Sequence, residues 1–139
     1  MAGRAVTLRF VPHRPDLADD KPKGDQSAEY VAFELCGPGE VLVIDAMGWQ
    51  YSSIGGDIKF LRLRQREVGG LVTDGAARDS KSLKEYGFPV YCATTTANRG
   101  QPNSGHGRLT TPFNVVGCWC APETQLSETT TGRWSSPSP

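Results

Sequence analysis

Two short segments of this 139-residue chain combine residue types that could bind a small anionic substrate. The first is Ser53-Ile54-Gly55-Gly56-Asp57, where small residues lead directly into a predicted helix. Paired glycines let a ligand approach the backbone, and the free N–H groups of a first helical turn suit a carboxylate or a phosphate. Aspartate is also common near helix starts as a cap, so this segment by itself is compatible with either role.

The second segment, Gly75-Ala76-Ala77-Arg78-Asp79, directly follows a predicted strand. A guanidinium can hold a carboxylate or an enolate in a two-pronged contact, and carboxylate oxygens are preferred ligands of Mg²⁺ and Mn²⁺. An adjacent Arg-Asp pair can therefore place an anion and a divalent cation side by side. The alternative is a surface ion pair whose aspartate caps the next helix, and these residues alone do not decide between the two.

Alternating strands and helices must position these two segments. Strand-like composition covers 6–11, 41–45, 71–74 and 89–96, and helical periodicity or composition covers 27–36, 57–68 and 80–86. Strands that alternate with helices in this way predict a parallel α/β core. In such folds ligands bind beyond the carboxyl ends of the strands, where both segments fall. In the helix over 57–68 the expected inward residues are Ile58, Phe60, Leu61 and Leu63.

The overall composition excludes several classes of function. Fifteen basic residues balance fifteen acidic ones, which argues against direct nucleic-acid binding and against a polybasic membrane-surface protein. No apolar run reaches the length of a membrane span, and no signal-peptide pattern is present. Four cysteines form no disulfide framework, so we expect reduced thiols and a cytoplasmic location. His13, His106 and the Cys118-x-Cys120 pair lack the spacing of a ligand set.

Taken together, four stretches resemble the RraA-like family. They are Gly39–Gly48, Gly55–Asp57, Gly70–Asp79 and Pro89–Tyr91. The most specific element is an acidic residue, twenty intervening positions and then Arg-Asp, which Asp57 and Arg78-Asp79 match. The family includes the regulators of ribonuclease activity A and the 4-hydroxy-4-methyl-2-oxoglutarate (4-carboxy-4-hydroxy-2-oxoadipate) aldolases.

The resemblance implies an α/β fold like the phosphohistidine-swivelling domain, an αββα sandwich that assembles as homotrimers or hexamers. It also implies site residues. Asp79 would hold a divalent metal, Mg²⁺ or Mn²⁺, partly through water, and Arg78 would bind the substrate oxygen and stabilise an enolate. Asp57 would position or activate water as an acid/base group. The backbone groups that would bind the pyruvyl carboxylate are those of Gly56, Asp57, Ile58 and Lys59.

The implied activity is metal-dependent cleavage of pyruvyl 2-oxo acids. Retro-aldol cleavage of 4-hydroxy-4-methyl-2-oxoglutarate and decarboxylation of oxaloacetate proceed through the same pyruvate enolate, so one site can perform both. The alternative function is a non-catalytic regulator that binds and inhibits a ribonuclease, although no feature of the chain identifies a partner-binding face. A third possibility is a non-functional fragment that folds poorly.

Both ends of the chain depart from the family pattern. The resemblance covers Gly3–Thr96, and an N-terminal helical segment usual in the family is missing. We expect a partial domain over 1–110 and an aberrant, disordered Ser/Thr/Pro-rich tail over 111–139. Reading shifted codons from Thr110 onward permits a family-like C-terminus, PVQCGGVLVRPGDAVVGDDDGAVVVP, which predicts a single-base frameshift near Arg108–Thr111. The coding DNA across residues 105–139 tests this prediction, which would make Cys118 and Cys120 by-products.

Overall fold

Strands and helices alternate along the part of the chain that the computed structural model describes, residues 1–11, 16, 22 and 24–99 and the backbone of five later strands. The elements of the first part are β1 Ala2–Arg9, α1 Ala28–Leu35, β2 Val41–Asp45, α2 Asp57–Gln65, β3 Gly70–Thr73, β4 Ala76–Ala77, α3 Ser80–Tyr86, β5 Val90–Tyr91 and β6 Thr94–Thr95, with a 3₁₀ turn at Gly24–Gln26 before α1. The later strands are β7 Arg108–Leu109, β8 Phe113–Val115, β9 Cys118–Cys120, β10 Gln125–Glu128 and β11 Trp134–Ser135.

The central sheet has parallel strands in the order β1-β2-β3-β5. The helices α1, α2 and α3 follow β1, β2 and β3 in turn, as parallel strands require because a tight hairpin cannot join them. The predicted α/β class is confirmed. On the other side of β1, the strands β7 and β10 pair with it in antiparallel fashion, and β11 extends the sheet from β10.

Alternation of side chains divides the core between the two faces of the sheet. Leu42 and Ile44 of β2 pack in one cluster with Phe33 of α1, Phe60 of α2 and Leu83 of α3, so all three helices cover this face. The neighbouring residues of β2 join a smaller cluster on the opposite face. All five residues of β2 are buried, as the continuous apolar run predicts for a central parallel strand.

Some predicted boundaries differ from the structure. The helix predicted over 57–68 ends at Gln65, because Glu67 adopts a positive φ of 59° that turns the chain toward β3. The single strand predicted over 89–96 is two short strands in different sheets, since β5 pairs with β3 whereas β6 pairs with β4. The inward orientation predicted for Ile58 is wrong: its side chain is 79% exposed. Ile58 follows the first residue of α2, before the helix contacts the core with Phe60 and Leu63.

The segment 111–139, predicted to be disordered, contains strands β8 to β11. In β10 the backbone of Leu126 pairs with that of Gly3, and β8 and β9 form an antiparallel pair. Antiparallel pairing uses main-chain groups, so a sequence rich in serine and threonine can form it. Predicted disorder at the other positions of this segment falls outside the described residues, and the boundary at 110 stays a prediction.

Charged side chains join α1 and α2 on the helical face. Glu34 contacts Arg62 at 3.2 Å and Arg66 at 3.0 Å. The hydrogen bond from Arg62, with added electrostatic attraction from both arginines, lowers the pKa of Glu34. No helix within the described residues has the length and apolar character needed to cross a bilayer.

Cys36, immediately after α1, is fully buried, and burial raises the pKa of its thiol from 9.0 to about 12. This change lowers the thiolate fraction at pH 8 roughly 1,000-fold. We therefore expect iodoacetamide to label half-buried Cys92 in the native chain and to label Cys36 only after unfolding, as measured by peptide mass spectrometry. Equal native labelling rates at Cys36 and Cys92 would contradict this prediction.

The raised pKa of Cys36 also makes the stability of the folded chain depend on pH. Because the protonated thiol is favoured in the folded state, its contribution to stability is present below about pH 9 and is lost between about pH 9 and 12.

Candidate functional site

The N-terminus of α2 and the loop after β3 meet at the edge where the parallel strands end. Gly56 precedes α2 as its N-cap residue, and the carbonyl oxygen of Gly56 accepts the first helical bond from Phe60. The N–H of Arg78 donates to the carbonyl oxygen of Gly55 at 3.2 Å. This main-chain bond aligns the two segments predicted from the sequence, although more than twenty residues separate them.

Asp79 places its carboxylate against the start of α2. Its Oδ2 accepts a hydrogen bond from the N–H of Asp57 at 3.0 Å. Asp79 precedes α3 but makes no side-chain cap there, and it has φ 58° and ψ 39°, a left-handed conformation that is uncommon outside glycine. Asp79 therefore occupies the N-cap position predicted for it at α3, where its carbonyl oxygen accepts from the N–H of Leu83, but its side chain does not cap that helix. The residue is held in a costly conformation that directs its carboxylate to a different helix.

Arg78 lies beside this carboxylate with an unsatisfied donor. Its Nε is 3.2 Å from Oδ2 of Asp79, yet this buried nitrogen has no hydrogen-bond partner among the described residues. The contact thus has the distance of an ion pair without the geometry of a hydrogen bond. An unsatisfied buried donor costs roughly 1–3 kcal/mol, so a ligand oxygen that accepts from this N–H would recover that cost.

Glycine at position 56 is what allows the three groups to meet. A Cβ at this position would collide with Nε of Arg78 and Oδ2 of Asp79, and would lie 3.0 Å from Nη2 of Arg78. The backbone there has φ −137° and ψ −168°, which any residue can adopt. Close approach of side chains, rather than backbone conformation, therefore requires glycine at this position.

Two buried or half-buried aspartates support the neighbouring loop. Asp74 accepts hydrogen bonds from the N–H groups of Ala46 and Gly48, each at 2.7 Å, and Asp45 accepts one from Met47 at 2.8 Å. These bonds hold a turn in which Met47 has a φ of 56°. Both aspartates therefore cap this loop.

The remaining predicted site residues have different surroundings. The Lys59 side chain turns away toward α1, where Nζ lies 2.5 Å from Oε1 of Glu29, so only its backbone lies at the start of α2. The N–H of Ile58 donates at 2.8 Å to Oδ1 of Asp57. Of the four backbone donors predicted to bind a carboxylate, those of Asp57 and Ile58 already bind carboxylate oxygens of the chain. The first turn of α2 thus accommodates anionic oxygens, as expected because the N-terminus of a helix is the positive end of the helix dipole.

These residues could hold a divalent cation at Asp79, but the described part of the protein supplies few of its ligands. Among the residues that the structure describes, no three His, Cys, Asp or Glu side chains cluster as a metal cage. Oδ2 of Asp79 is engaged by Asp57 and faces Arg78, which leaves Oδ1 for a cation. Mg²⁺ commonly keeps several waters and binds through one or two carboxylates together with substrate oxygens. The donor set therefore suits a cation coordinated largely by water and substrate.

An open cleft of about 430 Å³ extends from the Arg-Asp pair. Besides Arg78 and Asp79, its lining includes Ser80 and Lys81 at the start of α3 and the threonines at 95 and 96. The volume lies within the range of roughly 300–1,000 Å³ usual for small-molecule sites. These four residues carry no motif that predicts a site from the sequence. The only signal was their position, directly after the Arg-Asp pair or at the end of the last predicted strand.

Known proteins share sequence similarity with most of this chain. The family model described as RraA-like, Aldolase/RraA, matches residues 1–128, beyond the stretch that carries the resemblance in the sequence. A relative from Halalkalibacterium halodurans, provisionally named 4-hydroxy-4-methyl-2-oxoglutarate aldolase, is 34% identical over 94 residues. That match covers 68% of this chain and 44% of the relative, so the chain spans less than half the length of that protein.

Two solved structures share both fold and sequence similarity. Streptomyces coelicolor RraAS2, described as an unusual member of the RNase ES inhibitor RraA protein family, superposes with a TM-score of 0.82 at 26% identity, covering 98% of this chain and 65% of that one. The RNA-processing inhibitor RraA from Thermus thermophilis gives a TM-score of 0.70 at 26% identity, covering 90% of this chain and 68% of that one.

Proposed function

Because this chain belongs to the RraA-like family, we propose that it is a divalent-metal-dependent lyase that releases pyruvate from 2-oxo acids. Its substrates would be 4-hydroxy-4-methyl-2-oxoglutarate, cleaved to two pyruvates, and oxaloacetate, which it would decarboxylate. Similarity to the relative named for the first reaction supports this. The observation that carries the proposal is the unsatisfied, buried Nε–H of Arg78 beside Asp79 at the start of α2.

Each group has a distinct task in this proposal. The start of α2 would bind the C1 carboxylate of the substrate through backbone donors other than those of Asp57 and Ile58, which hold carboxylate oxygens of the chain. Arg78 would donate to the 2-oxo oxygen on which negative charge develops. A divalent cation held at Asp79 would supply further positive charge next to that oxygen. The planar guanidinium of Arg78 holds its donors in a fixed arrangement, so they need not reorganise as the charge develops.

Cleavage of 4-hydroxy-4-methyl-2-oxoglutarate then needs one proton removed and one returned. The C3–C4 bond breaks, its electron pair forms the pyruvate enolate, and the C4 hydroxyl loses its proton as the second pyruvate carbonyl forms. Asp57, half-buried at the start of α2, would accept that proton through water and return one to C3. Oxaloacetate loses CO₂ instead, leaves the same enolate and takes up a proton at C3.

Pyruvate release from oxaloacetate tests the proposal directly. We expect the purified chain with Mg²⁺ to release pyruvate faster than Mg²⁺ alone, which itself accelerates this decarboxylation. EDTA should abolish the excess, and added Mg²⁺ or Mn²⁺ should restore it. A folded chain that adds nothing to the metal-only rate with either oxaloacetate or 4-hydroxy-4-methyl-2-oxoglutarate would overturn the proposal.

Assembly and location belong to the same proposal. We expect a homotrimer or hexamer in the cytoplasm, with the small 2-oxo acid as its partner, and light scattering coupled to size-exclusion chromatography measures the assembly. A monomer that is active would contradict the expected assembly while leaving the reaction intact.

A second candidate function is inhibition of a ribonuclease by binding, without chemistry. The supporting observation is the 26% identity to structures described as an RNase ES inhibitor family member and an RNA-processing inhibitor. Capture of a purified ribonuclease by the immobilised chain tests this candidate. An Asp79→Ala variant separates the two functions, because binding should survive this change and pyruvate release should not.

A further inference from the structure

We propose that the cleft beside the Arg-Asp pair binds the second carboxylate of a dicarboxylic 2-oxo acid, and that Lys81 makes the chain prefer such substrates. This rests on the proposed function, because the cleft begins at the residues that would bind the pyruvyl group. Arg78 and Asp79 form one part of its lining, and the other described lining residues are Ser80, Lys81, the two threonines at 95 and 96, and Ala97. One molecule can therefore contact both parts.

The positive charge of Lys81 is the feature of the cleft that favours a carboxylate ligand. Within the described part of the chain, Lys81 makes no ion pair, in contrast to Lys59, Arg62 and Arg66, each of which has a carboxylate partner. Among the described residues that line the cleft, Asp79 supplies the only negative charge, and a cation held there would neutralise it. An exposed ammonium without an ion-pair partner in the described part of the chain, in a cleft whose lining also includes Ser80 and two threonines, suits a carboxylate.

The chemistry agrees with this placement. In 4-hydroxy-4-methyl-2-oxoglutarate the distal carboxylate stays intact and becomes part of the second pyruvate, so Lys81 can hold it from substrate to product. In oxaloacetate the second carboxylate is the group that leaves as CO₂, and holding it as an anion would not assist its loss. We therefore infer a preference for dicarboxylic substrates with a five-carbon main chain over monocarboxylic analogues that lack the distal carboxylate.

Two ligands that cannot undergo retro-aldol cleavage test the cleft independently of catalysis. Isothermal titration in the presence of Mg²⁺ should show that the full chain binds 2-oxoglutarate about tenfold more tightly than 2-oxobutyrate, which lacks the distal carboxylate. Lys81→Met should remove this difference by weakening only 2-oxoglutarate, and Lys81→Arg should retain most of it. Lys84→Met is the matched control, because Lys84 is exposed on the same helix but does not line the cleft.

Three results would overturn the inference: equal affinity of the unaltered chain for both ligands, equal weakening of both by Lys81→Met, or the same loss with Lys84→Met. The cleavage assay reports separately on the proposed function. A chain that prefers 2-oxoglutarate through Lys81 but releases no pyruvate would keep the subsite and exclude the lyase. A chain that releases pyruvate but shows no preference for 2-oxoglutarate would keep the lyase and exclude the subsite.

Discussion

Arg78→Ala is expected to lower kcat/KM for pyruvate release roughly 100- to 1,000-fold, the usual loss when one donor to a developing oxyanion is removed. Among the described residues this side chain lies within ion-pair distance of Asp79, and its Nε–H has no hydrogen-bond acceptor there. Arg78→Lys keeps the charge but loses the planar arrangement of donors, so we expect activity between that of the unaltered chain and the alanine variant.

Folding should be little affected by these changes at Arg78. The main-chain bond from Arg78 to Gly55 does not depend on the side chain, which is 29% exposed. Circular dichroism melts should therefore remain close to those of the unaltered chain. Arg64→Ala is the control, an exposed arginine on α2 away from the site. An alanine variant at 78 that is folded and retains half of the activity would exclude a role for this guanidinium in the reaction.

Gly56→Ala is expected to lower pyruvate release roughly 100-fold, because misplacing reacting groups by about 1 Å commonly has this effect. The added methyl group would occupy the space of Nε of Arg78 and Oδ2 of Asp79. Both side chains must move, and the hydrogen bond from Asp57 to Asp79 would be lost. The crowding should also lower the free energy of unfolding by about 1–3 kcal/mol.

A second glycine provides the control for this variant. A Cβ on Gly37 would meet only Oε2 of Glu40 at 3.6 Å, an ordinary contact, so Gly37→Ala should leave activity unchanged. Affinity for Mg²⁺ and pyruvate, measured by titration calorimetry, should fall in Gly56→Ala and not in Gly37→Ala. Unchanged affinity and activity in Gly56→Ala would show that Arg78 and Asp79 do not need to meet at this backbone.

Local sequence patterns predicted most of the first ninety residues because strands and helices follow short-range periodicity. The buried run at β2 and the helix α1 lie within one residue of their predicted bounds. Prediction was less accurate where the structure depends on which strands pair with each other. Residues 89–96 divide between two sheets because β4, itself only two residues long, supplies a separate partner for Thr94 and Thr95. No local pattern identifies a partner so short.

The sequence by itself determined which chemical groups are available: a carboxylate at 57, an Arg-Asp pair after twenty intervening positions, and a glycine before α2. It left each group with an ordinary alternative as a helix cap or a surface ion pair. Only the tertiary structure decided that the Asp79 side chain makes no cap bond to its own helix and instead binds the N–H of Asp57 on another helix. It also decided that Lys59 faces α1 and that Lys81 lines the cleft. The physical reason is that these contacts depend on β2 and β3 lying side by side with their carboxyl ends at one edge, and that pairing joins residues distant in the chain.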